Sequence, residues 1–371
     1  MKKGDTLMWL IIAGCVLAAA IAGTVYMVVS ISKFGVFEAA AGDRKWLKML
    51  LSFVTLAVAF AAASYLMSVV NAIIILLNEV LFFLSFGLIM RLVRHFSDKE
   101  FTVNWQGWLA LVASAVYLAV GYYLLHRVWQ KDYTIRTDKN ISLKIAMIAD
   151  SHLSTTFGGE GFAEHLRTIA AQNPDILLIA GDFVDDSTKK ADLEKACEAL
   201  GNLKLPYGVW YAYGNHDKGY YNSRDFSASA LEYALMSNGV HVLKDDCVLV
   251  DDRFYVAGRL DSSMKERVDM DTLLSDADSG KYIIVLDHQP NDYDNEAASC
   301  ADLVLSGHTH GGQLFPITYV GEWFNINDRT YGHEKRGGTD FIVTSGISDW
   351  EILFKTGAKS EYVIINVEGN G

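Results

Sequence analysis

The first 130 residues alternate between long uncharged stretches and short charged connections. Residues 7–31 contain no charged side chain, and a helix needs only about 20 apolar residues to cross a bilayer. This stretch is longer than the apolar core of a signal peptide, and further apolar blocks follow it. We therefore predict that residues 7–31 form a retained transmembrane helix.

A second apolar block covers residues 49–93, which is too long for one crossing, and is interrupted near residues 68–71. This pattern predicts a tight helical hairpin with spans at about 49–69 and 72–92. A last span is predicted at about 107–125, because aromatic residues flank that apolar run at both ends, as they do at membrane interfaces.

These four spans predict a transmembrane anchor over residues 1–130 and a separate domain over residues 131–371. The loops after the first and third spans contain seven basic residues, against six before the first span and after the last. Because basic residues concentrate in cytoplasmic loops, we expect the domain on the external face, in a bacterial cell membrane. A short connection after the last span is expected to keep it near the bilayer.

The third predicted span contains two polar residues, Asn78 and Glu79. A carboxylate inside a membrane is costly and is a candidate for function. A hydrogen bond between helices, or a protonated side chain at an interface, is the alternative explanation. The spans lack the interrupted helices of a transporter, so an anchor or a lipid-handling platform is favoured.

From residue 143 onward, short apolar runs end in polar or glycine-rich turns, and helices alternate with strands before strands dominate. This order predicts an α/β layered sandwich with a parallel core and added antiparallel strands. Helices are predicted at 161–172, 191–203 and 226–238. Strands are predicted at 143–149, 175–180, 207–213, 240–243, 247–250, 254–258, 282–287, 301–306, 341–346 and 361–367.

Five of these strands lead directly into Asp, Asn or His. In open α/β sheets ligands bind at the carboxyl edge, so we expect these groups to converge there. The segments after the strands are Asp150-Ser151-His152, Gly181-Asp182, Gly214-Asn215-His216-Asp217, Asp287-His288 and Gly307-His308-Thr309-His310.

Imidazole nitrogen mixed with carboxylate and amide oxygen, without cysteine, suits Mn, Fe or Zn. About eight donors are more than one ion needs, so two ions are suggested, with Asp182 as a natural bridge. A pair of ions about 4 Å apart generates hydroxide near neutral pH and stabilises both the attacking and the leaving oxygen in displacement at phosphorus.

Charge divides the chain in the same way as hydropathy. The 371 residues contain 32 Lys and Arg against 44 Asp and Glu, a net charge of −12. Residues 1–130 hold 10 basic and 6 acidic side chains. The rest of the chain holds 22 basic and 38 acidic side chains, a charge of −16. This acidic domain is not a general nucleic-acid binder. The four scattered cysteines indicate neither a thiolate metal site nor a redox role.

The five segments after the strands resemble the motif blocks of the calcineurin-like metallophosphoesterases, and the string GHTHGGQ is similar to a membrane-associated bacterial branch of that family. The resemblance implies an αββα sandwich and two divalent metal ions. It implies that one ion is held by Asp150, His152, Asp182 and His310, and the other by Asp182, Asn215, His288 and His308.

The resemblance also implies that His216 contacts the phosphoryl oxygens or protonates the leaving group. We expect Asp217 and Asp287 to orient the neighbouring histidines from behind the ligands. Lys355 is a candidate substrate contact, because the family's basic residue near the phosphate has no obvious counterpart in SGISDWEILFKTG.

Other side chains near these motifs leave two alternatives open. Asp185 and Asp186 are either further supports of the metal ligands or, as favoured here, solvated loop carboxylates. The aromatic residues between Leu314 and Phe324 form an acyl pocket or membrane-facing lip, or else an ordinary packed loop.

Together these features predict a membrane-tethered phosphoester hydrolase, either a phosphodiesterase or a pyrophosphatase, in which metal-bound hydroxide attacks phosphorus. The expected partners are membrane lipids and a phosphorylated lipid or envelope substrate, and no nucleic acid. The alternative is a membrane sensor or scaffold with a non-catalytic phosphoesterase fold. The physiological substrate, the native metals and the oligomeric state do not follow from the sequence.

Overall fold

The computed structural model describes residues 18–97, 101–221 and 223–369. The chain divides into two compact units, one ending at Val120 and the other beginning at Gly121. This division lies earlier than the predicted boundary at residue 130, because the end of the last apolar helix belongs to the C-terminal unit.

The helices of the apolar region are α1 (Ala18–Ile31), α2 (Gly35–Ala41), α3 (Lys45–Leu66), α4 (Val69–His95) and α5 (Trp105–His126). Among the described residues, α3, α4 and α5 are each long and apolar enough to cross a membrane, and α1 with α2, bent by 75°, brings the number up to four. This agrees with the predicted anchor, although residues 7–17 of the first predicted span lie outside the described residues.

Local hydrogen bonds explain the predicted break between the second and third spans. Ser68 has extended backbone angles, and its Oγ accepts a hydrogen bond from the backbone N–H of Asn71 at 3.2 Å. A serine in this position satisfies one of the free N–H groups at a helix start. The hairpin therefore turns at Met67–Ser68.

The two polar residues of α4 have different surroundings. The Nδ2 of Asn78 donates to Oγ of Ser114 in α5 at 2.6 Å, and both residues are buried, which is the predicted helix-to-helix bond. Glu79 lines an apolar cavity of about 500 Å³, and its buried Oε2 has no hydrogen-bond partner among the described residues. A functional role for Glu79 stays a prediction.

The C-terminal unit contains two six-stranded sheets. The first has the order β1-β12-β2-β3-β4-β5 and the second β10-β11-β9-β8-β7-β6. The strands are β1 (Trp129–Thr137), β2 (Ser142–Ile148), β3 (Ile176–Ala180), β4 (Val209–Ala212), β5 (Val240–Leu243), β6 (Asp246–Val250), β7 (Phe254–Gly258), β8 (Tyr282–Leu286), β9 (Leu303–Ser306), β10 (Gly332–Arg336), β11 (Thr339–Val343) and β12 (Glu361–Gly369).

The sheets pack face to face around an apolar core to which both contribute, with Ile145 and Met147 from one sheet and Ile284 from the other. Helices cover the outer faces, so the central strands are buried on both sides and their sequences are continuously apolar. The helices are α6 (Gly159–Ala170), α7 (Lys190–Gly201) and α8 (Ala228–Ser237) on the first sheet, and α9 (Met270–Leu273) and α10 (Tyr293–Ala298) on the second. The predicted αββα sandwich is confirmed.

Two strands, β1 and β10, lie at sheet edges and were not predicted. Their residues alternate between exposed and partly buried positions, with many charged side chains. Edge strands commonly carry such charges, so hydropathy alone does not reveal them. β1 pairs in parallel with β12, and it begins at Trp129, directly after α5 ends at His126. A strand thus takes the place of the predicted connection.

Candidate metal centre

The predicted ligands lie in tight turns at the carboxyl ends of strands from both sheets. Five of the seven have a positive φ, a conformation that non-glycine residues rarely adopt and that is concentrated at functional sites. These are Asp150 (54°), His152 (36°), Asp182 (51°), His308 (68°) and His310 (50°).

Glycines let the turns approach each other closely. A Cβ atom added at Gly214 would lie 2.2 Å from Oδ1 of Asp182, and one added at Gly307 would lie 2.5 Å from Oδ2 of Asp150. The backbone N–H of His308 donates to the Asp150 carboxylate at 3.0 and 3.1 Å. The glycines in these motifs therefore allow the close packing that brings two sheets to one site.

Six of the predicted ligands form two groups, in each of which the donor atoms lie within 4.8 Å of one another. Asp182 lies between the groups, with Oδ2 at 3.0 Å from Nε2 of His288 and 3.7 Å from Nε2 of His152. The groups are Asp150, His152 and His310, and Asp182, His288 and His308.

The remaining polar contacts turn donor atoms towards these groups. Nδ1 of His288 is hydrogen-bonded to the carbonyl of Ala180 at 2.8 Å, and the Asn215 amide donates to the Tyr220 hydroxyl at 3.0 Å. Among the described residues, Nε2 of His152 and Oδ1 of Asn215 are buried without a hydrogen-bond partner. Unsatisfied buried groups of this kind are costly, and a pair of divalent cations would satisfy them.

Charge at the site favours a cation as well. Burial raises the pKa of Asp150 and raises that of Asp349 to about 7, and it lowers the pKa of His308 to about 4. Burial alone would also lower the pKa of His152, but the hydrogen bond to Asp185 and the surrounding carboxylates raise it to about 9. Closely packed carboxylates therefore create a strong demand for positive charge.

His216 lies beside the two groups of predicted ligands. Its backbone N–H donates to Oδ1 of Asp182 at 2.8 Å, which fixes the residue beside the two ligand groups. Its half-buried ring lies 5.0 Å from the ring of His152, 5.2 Å from that of Tyr220 and 5.6 Å from that of Trp350, centroid to centroid.

Asp217 and Asp287 are buried, but neither contacts a histidine in the way we predicted. Asp217 accepts hydrogen bonds from the backbone N–H groups of Asp182, Val184 and Gly214 at 2.8 to 3.0 Å. It therefore holds two ligand-bearing turns together. The Asp287 carboxylate accepts hydrogen bonds from two arginines, Arg259 at 2.8 Å and Arg267 at 2.5 and 2.9 Å.

The placement of Lys355 does not fit the predicted contact with substrate. Its side chain is fully buried, and its ammonium group donates to the backbone carbonyls of Ser345 at 2.5 Å and Ser348 at 3.1 Å. An ammonium group held by buried carbonyls cannot turn towards a ligand without losing these bonds. Lys355 instead braces the loop that carries Asp349.

The favoured interpretation of Asp185 was wrong, since this residue is buried and its Oδ2 lies 3.4 Å from Nδ1 of His152. Asp186 is partly exposed and accepts hydrogen bonds from the backbone of Tyr220 and Tyr221. The sequence placed both carboxylates in one loop after a strand and offered no way to distinguish them.

Asp349 is the supporting residue that sequence reasoning missed. It is fully buried, and its Oδ1 lies 3.1 Å from Nδ1 of His310. The opposite ring nitrogen of His310 therefore faces Asp150. The sequence shows Asp349 only as an acidic residue in the same glycine-containing segment as Lys355, and no local pattern indicates that it is buried.

Comparison with known proteins agrees with this geometry. Residues 143–312 match the family model described as calcineurin-like phosphoesterase. An uncharacterized metallophosphoesterase of Aquifex aeolicus is 32% identical over 64% of this chain and 91% of that protein. The metallophosphoesterase YkuE of Bacillus subtilis is 26% identical over 74% of this chain and 99% of that protein.

One animal relative is named as a transmembrane protein. The transmembrane protein with metallophosphoesterase domain of Danio rerio is 30% identical over 59% of this chain, which spans 52% of that protein. The αββα fold and the clustered candidate metal ligands thus define a hydrolase of phosphoric esters with helices that are apolar enough to cross a membrane. The chain belongs to the calcineurin-like metallophosphoesterases.

Proposed function

We propose that this protein is a membrane-tethered phosphodiesterase or pyrophosphatase that uses two divalent ions, of Mn, Fe or Zn, to hydrolyse a lipid or envelope phosphate. The observation that carries the proposal is the convergence of buried donor atoms without partners on the two ligand groups. A structural site would need one closed set of four ligands, whereas Asp182 belongs to one group and its Oδ2 also lies 3.7 Å from Nε2 of His152 in the other.

Each proposed ligand has a defined place in this arrangement. One ion would be held by Asp150, His152, Asp182 and His310, and the other by Asp182, Asn215, His288 and His308. When bound, such a pair of ions activates water and stabilises the charge that develops on the phosphoryl oxygens. Asp182 bridges the groups, and Asp349 and Tyr220 orient His310 and Asn215.

His216 is the proposed catalytic residue. Its ring lies outside both ligand groups but beside them, so it is placed to contact the phosphoryl oxygens and to donate a proton to the leaving oxygen. The hydrogen bond from its backbone to Asp182 keeps this position fixed relative to the ions.

The test uses the full-length protein in phosphatidylcholine nanodiscs, stripped of metal and reloaded with Mn, Zn or Fe. We expect hydrolysis of bis-p-nitrophenyl phosphate only after reloading. Asp182→Asn should lose metal, measured by mass spectrometry of bound ions, and activity with it. His216→Ala should keep its metal and lose about 10²- to 10⁴-fold in kcat, as expected for a general acid.

Asp252→Asn and His241→Ala are the matched controls, because both residues are exposed and lie outside the centre. They should retain metal and activity. Bound metal without any turnover in the unmodified protein would contradict hydrolysis and support the sensor or scaffold.

We also propose that the C-terminal unit lies on the external face of a bacterial membrane, since the basic residues of the loops favour that orientation. A membrane-impermeant maleimide added to intact cells should label a cysteine introduced at Asp252, which is exposed. Labelling that requires lysed cells would place the unit in the cytoplasm.

A further inference from the structure

A segment of the C-terminal unit, residues 315–326, exposes large apolar side chains to its surroundings; we call it the aromatic loop. An exposed patch of this kind marks a surface that binds another apolar surface, so the loop is not the ordinary packed loop that the sequence left open. The exposed fractions are Phe315 63%, Ile317 58%, Tyr319 50%, Trp323 68%, Phe324 72% and Ile326 58%.

Hydrogen bonds join the start of this loop to the end of α5. The backbone N–H of Lys355 donates to the carbonyl of Gly121 at 3.1 Å. The next residue, Thr356, accepts a hydrogen bond on Oγ1 from the N–H of Phe315 at 3.1 Å and donates its own N–H to Gln313 at 2.8 Å. All these residues belong to the C-terminal unit, so the loop begins close to the last turns of α5.

The end of α5 has the features of a helix that leaves a membrane. Tyr122 and Tyr123 are about half exposed, and the Arg127 guanidinium lies 5.9 Å from the Tyr123 ring and 5.3 Å from the Trp129 ring. The ammonium group of Lys359 lies 5.2 Å from the same Trp129 ring. Aromatic rings combined with cationic side chains are typical of the lipid–water interface.

The loop is also joined to the metal centre. Gln313, which lies between His310 and Phe315 in the chain, donates from Nε2 to Oδ1 of Asp349 at 2.8 Å, and Asp349 contacts His310. One short segment therefore carries a proposed metal ligand at one end and the exposed aromatic side chains at the other.

We propose that the aromatic loop inserts into the lipid–water interface beside the end of α5 and presents the metal centre to phosphorylated headgroups of the same leaflet. This inference rests on the proposed hydrolase function and narrows its substrate to a lipid phosphoester. Residues 313–327 contain no lysine or arginine. Insertion is therefore driven by apolar and aromatic burial rather than by attraction to anionic lipids.

The first measurement tests the membrane contact alone. A single cysteine at Phe324→Cys, in full-length protein whose native cysteines are replaced, is labelled with an environment-sensitive nitrobenzoxadiazole dye and reconstituted into phosphatidylcholine vesicles. Tyr233→Cys is the matched control, because Tyr233 is 75% exposed and lies on α8. Vesicles with and without phosphatidylcholine that carries a nitroxide near the headgroup are compared.

We expect blue-shifted emission and several-fold stronger nitroxide quenching at position 324 than at position 233, with little change at high salt. Equal, weak quenching at both positions would overturn the inference and leave the loop in water. A blue shift without quenching would also overturn it, since it would show that a second copy of the protein covers the loop.

The second measurement compares two substrates with the same reacting group, methyl p-nitrophenyl phosphate in solution and hexadecyl p-nitrophenyl phosphate in the vesicle. In the double variant Trp323→Ser, Phe324→Ser we expect kcat/KM for the hexadecyl ester to fall about tenfold, which is about 1.4 kcal/mol, and that for the methyl ester to stay unchanged. An equal change for both esters would overturn the presentation of lipid headgroups. If the unmodified protein hydrolyses neither ester, the proposed phosphodiesterase activity fails, while the quenching still decides the membrane contact.

Discussion

At the residue scale, Asp217 joins two turns of the metal centre through backbone hydrogen bonds, a role that the sequence motif alone does not show. It accepts three backbone hydrogen bonds from the turns that carry Asp182 and Asn215. Asp217→Asn places an amide against these donors and leaves at least one of them unsatisfied, a loss of about 1 to 3 kcal/mol. We expect a lower melting temperature and roughly tenfold to hundredfold weaker metal binding, as for other residues that support ligands.

Thermal unfolding and metal titration of the purified protein check this prediction. Asp269→Asn is the control, because Asp269 caps α9 and asparagine caps a helix about as well. Retention of full metal affinity by Asp217→Asn would show that the turns hold their shape without this carboxylate.

Gly307 gives a second prediction at this scale. Gly307→Ala puts a methyl group about 2.5 Å from the Asp150 carboxylate, so the carboxylate or the His308 turn must move. We expect loss of metal from the group that contains Asp150, measured by ion content. Gly338→Ala is the matched control, since an added Cβ there meets no atom within 4 Å, and it should bind metal normally.

At the element scale, the sequence predicted the strands that form continuous apolar runs and the amphipathic helices α6, α7 and α8, and it missed the charged edge strands. The buried strands β2, β3 and β8 were found because both faces are covered, whereas β1 and β10 have a polar face at an edge. The side chains that cluster in the two groups could be predicted as metal ligands because each follows a buried strand. Asp349 and Asp185 lie in irregular loops, where contacts with distant residues determine burial, and no local pattern reveals such contacts.

The hydrogen bond between Asn78 in α4 and Ser114 in α5 leads to a prediction at the element scale. Asn78→Ala and Ser114→Ala each remove the same buried hydrogen bond, so their effects on unfolding in detergent should not add. Bonds of this kind in membrane helices contribute about 0.6 kcal/mol on average and at most about 2. A double-mutant cycle measures the coupling, and full additivity would mean that the contact contributes no stability.

At the scale of the whole molecule, we expect metal binding to be coupled to the fold of the C-terminal unit. The proposed ligands come from the ends of strands in both sheets, so ions bound there would hold the sheets together at that edge and bind the unfolded chain weakly. Mass action then predicts stabilisation of about 4 kcal/mol when the concentration of free metal exceeds its dissociation constant 1,000-fold.

Chelation should lower the melting temperature of this unit, and readdition of metal should restore the melting temperature in proportion to the logarithm of the metal concentration. Asp182→Asn should abolish this dependence, because it neutralises the carboxylate that lies near histidines of both groups, whereas Asp252→Asn should keep it. A melting temperature that is independent of metal in the unmodified protein would mean that the two sheets form the same edge without ions, so that the ligand turns are held by contacts such as those of Asp217 alone.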